Sequence, residues 1–273
     1  MNPSLRGIFD QHNEWVENFV GNFEHELQGV VASAEAFVIS ELRDRLEIVD
    51  GAIARTPANQ RILRQVDDML VSAMDRAGYG ALAEEFAASF PGQLPYLDQM
   101  IAAISHELKT PLEVAFTKAD EAALASQQIS TVDTLQTVVE SMASVAKRKA
   151  LFSFGAMKFG DVAASIATTF SKSIGEASTL AATSTSMFFR TMQDRTFQKV
   201  ENGLPQGAVK YRYDGPNDKL TRDFCVRMLE RSKSEPMTRD AIEKLDNGQL
   251  PNPYITGGGY QCRHQWIVCE IKK

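Results

Sequence analysis

The chain has 273 residues, enough for one large or two ordinary domains with a sizeable core, and its 23% of charged residues sum to a formal charge of −6. That balance gives no general attraction to a polyanion, so a nucleic-acid role would need a local basic patch. Three cysteines, Cys225, Cys262 and Cys269, are too few for a secreted disulfide scaffold, no run approaches the ~18 apolar residues of a membrane span, and no signal peptide is visible.

The spacing predicts one long helix over residues 3–47. Asn2 suits the N-cap and Pro3 the first helical position. Trp15, Phe19, Phe23, Leu27, Val31, Val38, Leu42 and Leu46 recur at helical multiples, with Val16, Val20 and Val30 widening the stripe. Asp50-Gly51 is expected to end it. At 1.5 Å per residue the rod is roughly 65 Å long, a length that usually packs on other helices or other subunits. A second helix is expected from Thr56 or Asn59 to Gly78, a short one over Ala81–Ser89, a turn at "FPGQLP", and another helix from Pro95 or Tyr96 to Leu108.

From Thr131 to about Val200 the composition shifts to Ser, Thr, Ala and Met while helical spacing persists through Leu135, Val138, Val139, Met142 and Val145, then Phe170, Ile174, Met187, Phe188 and Met192. Small side chains let helices approach closely, so two or three tightly packed helices and a homo-oligomer are expected. The basic cluster Lys147-Arg148-Lys149 reads as a solvated helix end; DNA contact is not indicated.

After "ENGLPQG" the text changes. "AVKYRY" alternates like a strand, "LTRDFCVRMLER" and "MTRDAIEKLDNG" read as short helices, the latter capped by Thr238, "PNPYITGGGY" as a loop, and "QCRHQWIVCEIK" as a closing strand able to pair with residues 209–213. The expected fold is therefore mainly α. A helical domain with its long N-terminal helix covers 1–127, a Ser/Thr/Ala-rich helical segment 128–203, and a small α+β module 204–273, a size at which a metal or cross-link often helps.

Two motifs raise chemistry. "ISHELKTPLEVA", residues 104–115, resembles the phosphoacceptor box of sensor histidine kinases, with His106 in the acceptor position. Those kinases need glycine-rich nucleotide loops that this sequence lacks, and its only glycine cluster, Gly257-Gly258-Gly259, precedes a strand. An ordinary helix with the stripe Ile101, Ile104, Leu108 and Leu112 explains the same letters. The second motif is C-terminal. Cys262 and His264, two apart on a strand, share a face with Trp266, and Cys225 on a helix above could come within reach. Three readings stay open. Buried free thiols packed against Trp266 come first, then a structural zinc on Cys225, Cys262 and His264 with Asp218 or Asp223 as a fourth ligand, then a Cys225–Cys262 disulfide. Cys269 is the poorer ligand, on the opposite strand face. Asp214, Asp218, Arg222 and Arg263 are expected to form carboxylate–guanidinium pairs that pin turn, helix and strand. No catalytic constellation is visible, a Cys225/His264 nucleophile lacking an orienting group.

The order Asp218-x-x-Thr221-Arg222-x-x-Cys225, then Gly258-Gly259-x-x-Cys262-Arg263-His264-x-Trp266, is similar to the closing module of tailed-phage minor head proteins, the head-morphogenesis family related to the F protein of phage Mu. The resemblance covers roughly residues 175–273. Many members carry Cys-Arg-Cys where this chain has Cys262-Arg263-His264. It implies a non-enzymatic structural protein of the virion, assembled in the host cytoplasm and acting at or near the portal and neck through contacts with portal, capsid or neck proteins. An internal protein ejected with the genome is the alternative. An enzyme, whether a kinase through His106 or a Cys-His hydrolase, stands third.

Overall fold

The computed structural model describes residues 4–112, 117–152 and 158–272. It is 72% helical, with long helices and a small strand-bearing part near the C-terminus, which is the fold class the sequence predicts. The chain forms two compact units, one from Met1–Phe19, Ser89–Gln128 and Leu180–Lys273, the other from Val20–Ala88 and Ile129–Thr179. Three long helices contribute residues to both: α1 (Leu5–Arg45), α6 (Lys118–Phe152) and α7 (Phe159–Glu201).

In the second unit the predicted stripe of α1 is the buried one: Phe23, Leu27, Val31, Val38 and Leu42. The helix ends at Arg45, with Arg43 and Arg45 complementing the negative end of its dipole. Asp50-Gly51 is not its stop. Both residues take positive φ (52° and 78°) and make the two-residue turn of a hairpin, β1 (Ile48–Val49) with β2 (Ala52–Ile53). Asn59, buried rather than capping, ties this hairpin down by bonding the backbone of Glu47 and Ala54. The expected second helix is two, α2 (Pro57–Arg64), capped by the Thr56 hydroxyl, and α3 (Val66–Arg76). The Gln65 N–H bonds Ile62 O, a tight 3-10-type closure, and Leu63 and Val66 on either side are both fully buried. Helix α4 (Tyr79–Ala88) follows Gly78, whose φ of 92° ends α3. Small residues fill the buried face of α6, with Ala143, Ala146 and Ala150 alongside Leu135, Val138 and Met142.

In the first unit the "FPGQLP" segment is a 3-10 turn (Phe90–Gln93) that runs directly into α5 (Leu94–Leu108). Lys109 closes α5 in the left-handed conformation, φ 50°. The next helix, α6, begins at Lys118. There Thr117 and Asp120 cap each other reciprocally, each side chain accepting the other's N–H. The buried Asp120 carboxylate also pairs with Arg195 (2.5 Å) and Lys199 (2.8 Å) of α7. Strand β3 (Val209–Asp214) pairs antiparallel with β4 (Gln265–Ile271), from Val209↔Ile271 to Asp214↔Gln265, as expected, and α5 packs on β4. Helices α8 (Asp223–Ser234), α9 (Arg239–Glu243) and α10 (Pro253–Thr256) complete the module. The last is a helical turn inside the segment expected to be loop, started by Asn252, whose side chain accepts the Tyr254 N–H.

Candidate metal centre

Cys225 sits in the first turn of α8, Cys262 and His264 in the extended segment that leads into β4, and Tyr213 on β3. The expectation that Cys262 and His264 lie within the strand is corrected: β4 begins at Gln265. Gln261, at φ 52°, turns the chain just before this segment. All four residues are buried. Cys225 Sγ lies 3.8 Å from Cys262 Sγ, both free thiols, and Cys262 Sγ lies 3.7 Å from His264 Nδ1. The ligand atoms of the three residues all fall within 4.8 Å of one another, so the cluster could hold a metal ion.

His264 Nε2 is 2.6 Å from Pro216 O. A carbonyl only accepts, so Nε2 carries a proton, and in the neutral ring the lone pair sits on Nδ1, toward the sulfurs. Such a backbone partner is the usual way a metal-binding histidine is oriented. Two glycines make the room. At Gly258 a Cβ would collide with Cys225 Sγ; at Gly215 (φ 152°) it would lie 2.6 Å from the His264 ring. The Gly258 N–H instead donates to Cys262 Sγ at 3.0 Å, and the His264 N–H at 3.4 Å.

The two thiols are unequal. Cys262 is held well below the ordinary thiol range, first by the hydrogen bond from Cys225, with the charge of Arg190 assisting, against the effect of burial. Cys225 is pushed far up by donating that bond and by burial. Burial and the neighbouring sulfurs drive the Tyr213 phenol far above its ordinary value.

Helix α7 supports the segment, which the sequence reading misses. Arg190, buried, donates to the carbonyls of His264 (3.0 Å), Ile255 (3.3 Å) and Cys262. Gln193 donates to Trp266 O at 2.6 Å, and Thr183 accepts the Gln261 N–H at 3.1 Å. These positions, seven and three apart, lie along one face of the helix. The available signal is Arg190 itself, a lone cation inside the apolar run "MFFRTM".

No protein-family model, no curated protein and no solved structure matches this chain. The site is accordingly read from its own chemistry. Asp218 and Asp223 are not in the cluster. Asp223 is exposed, and Asp218 accepts a bidentate pair from Arg263 at 2.7 and 2.9 Å, which holds its carboxyl well below the usual carboxylate range. Thr221 bonds Asp218 and Pro216 O, closing the same turn. Arg222 donates to Gly258 O at 3.3 Å, a backbone carbonyl in place of the expected carboxylate, and Asp214 faces Arg212 at 3.6 Å. Trp266 packs against Tyr213 and donates to Pro253 O. Cys269, half-buried, donates to Lys210 O and stands apart from the cluster. His106 is exposed near the end of α5, and residues 113–115 of its motif lie outside the described residues. Gly258 of the glycine cluster serves sulfur. Beside Cys262 and His264 lies a cavity of about 20 Å³. The larger cleft, about 490 Å³, is lined elsewhere by Glu201, Thr238 and Arg239, and Arg239 is committed to Asp194 and Glu201. Among the described residues, no helix is long and apolar enough to cross a membrane.

Proposed function

We propose that this protein is a structural component of a tailed-phage virion, a minor head protein at or near the portal and neck that acts in head assembly by protein–protein contacts. Portal, capsid or neck proteins are its partners, and a homo-oligomer is its working form. The observation that carries the reading is the convergence of the motif that resembles such proteins. Residues about forty positions apart close on one another as Asp218 with Arg263, Arg222 with the Gly258 carbonyl, and Cys225 with Cys262. The motif's polar groups are spent on holding the module shut. The cavity beside Cys262 and His264 is water-sized, which fits a docking unit better than a site that turns over substrate. Within this role the cluster holds a structural zinc, the ion that two thiols and an imidazole favour among common divalent cations.

Quantitative mass spectrometry and cryo-electron microscopy of purified particles test the assembly role. A fixed, small copy number at the neck is expected. Absence from particles, with catalytic activity in the free chain, overturns it. Presence only in filled heads, with loss on genome release, would move the protein to the ejected class.

A further inference from the structure

We propose that Tyr213 Oη is the fourth donor of the zinc site, which makes it a closed structural centre with no position for a reacting water; this rests on the zinc assignment above. A tetrahedral zinc with Zn–S of about 2.3 Å and Zn–N or Zn–O of about 2.0 Å needs ligand–ligand edges of roughly 3.8 Å between sulfurs and roughly 3.5 Å from sulfur to nitrogen or oxygen. The thiols stand 3.8 Å apart, and Cys262 Sγ stands 3.7 Å from His264 Nδ1. Tyr213 Oη completes the figure at 3.3 Å from Cys262 Sγ and 3.6 Å from Cys225 Sγ. Four edges among donors from three separate stretches of chain therefore lie near the spacings a tetrahedral ion imposes, and the Cys225–His264 edge is within 4.8 Å.

Tyr213 is also placed as a ligand would be. Its ring is fixed by stacking on His264 (centroids 5.3 Å apart, planes 11° apart) and by contact with Trp266 at 4.6 Å. The hydrogen bonds of its buried hydroxyl run to the two sulfurs, weak partners for a phenol. Gly257 keeps the approach open, since a Cβ there would lie 3.2 Å from Tyr213 Oη and 2.9 Å from Cys262 Sγ. On binding, whichever of the two sulfurs and the phenol still carry a proton release it to solvent as the metal–sulfur and metal–oxygen bonds form. No electrons move. Arg190, reaching the backbone of two ligand residues, is the cation that offsets the resulting surplus of negative charge.

The experiment uses the full chain under reducing conditions, stripped of metal and titrated with cobalt(II), then with zinc in competition. Wild type is expected to bind one ion per chain with the intense visible bands of a tetrahedral thiolate site. Tyr213→Phe should still bind one ion, with shifted and weaker cobalt bands and an affinity lower by on the order of 10–100-fold. Unchanged bands and affinity in Tyr213→Phe overturn the fourth-donor proposal while leaving zinc in place. Failure of wild type to bind stoichiometrically overturns the zinc assignment beneath it, and neither result bears on where the protein sits in a particle. Should Tyr213→Phe not fold, a crystal structure of zinc-loaded wild type decides: the phenol oxygen at about 2.0 Å from the ion supports the proposal, and a water in that place overturns it.

Discussion

In the unit of residues 20–88 and 129–179, buried positions are mostly apolar, Asn59 apart, and buried hydroxyls such as Thr169 and Ser173 turn back on their own helices, to Ser165 O and Phe170 O. Around the C-terminal cluster the buried positions hold Arg190, Gln193, His264, Cys225 and Cys262, and their bonds run between stretches distant in sequence. Apolar packing has no direction and fails by degrees, as volume is lost. A buried polar network fails at its joints, because each broken bond leaves a desolvated group without a partner. One unit is therefore a helix seam tolerant of conservative exchange, the other a clasp with few permitted substitutions.

That contrast can be broken at several points. Phe170→Ala, at a fully buried position of the seam, should lower stability by about 4 kcal/mol through transfer and cavity terms, read from the urea midpoint. Phe170→Leu should recover most of it, and a loss as large as that of Ala would mean the seam demands shape as strictly as the clasp. Arg190→Met keeps most of the volume yet orphans carbonyls of Ile255, Cys262 and His264, and should cost about 3 kcal/mol. Hydrogen exchange should rise across 255–266 first. A neutral outcome would show that packing alone holds the clasp.

His12 sharpens the comparison by pH. It is buried in the first unit, stacked on Phe189 and bonded to Gln93. Burial chiefly, with the charge of Arg190, lowers its pKa to about 4, against the Gln93 bond. The unfolded chain takes up this proton near the ordinary value of 6.5 and the folded one only near 4, so stability is full above 6.5 and falls as pH drops toward 4. The loss reaches at most about 3 kcal/mol. Chemical denaturation of wild type and His12→Gln between pH 7 and 4 reads it, and parallel slopes would contradict the assignment. Asp120 responds lower on the scale. Although burial opposes ionisation, Lys199, Thr117 and Arg195 hold its carboxyl far below 3.8, so its contribution is present above that pH and declines beneath it. Asp120→Asn should cost about 2 kcal/mol at pH 7, less than a fully buried pair because both cations are partly exposed. Asp218→Asn should have the smallest effect on global stability, its pair with Arg263 being partly in water. Its readout is local, as faster amide exchange at Leu220 and Thr221.

Much of this was legible in advance, for identifiable reasons. The stripes of α1, α6 and α7 are local periodicities, repeated often enough to outweigh exceptions. The β3–β4 pairing followed from alternation in "AVKYRY" and the closing strand read in "QCRHQWIVCEIK", and the approach of Cys225 to Cys262 and His264 from a helix crossing that sheet. The misses are places where short-range signals compete. Asp50-Gly51 reads equally as a helix stop or a hairpin turn, and only pairing of Ile48 with Ile53 chooses between them. Asp218 is a credible zinc ligand by type, but Arg263 claims it first.

The sequence by itself determined a mainly helical chain, its apolar faces, a small α+β end, and the residue types from which a metal centre could be made. Tertiary structure alone decided that Arg190, more than seventy residues from Cys262 and His264, would splint the ligand segment, and that Tyr213 would face the same point as two thiols and an imidazole. The division has a physical cause. Helical and strand periodicities are set by bonds between near neighbours and can be read along the chain. A site depends on which side chains meet after the chain has closed, and no local pattern carries that distance.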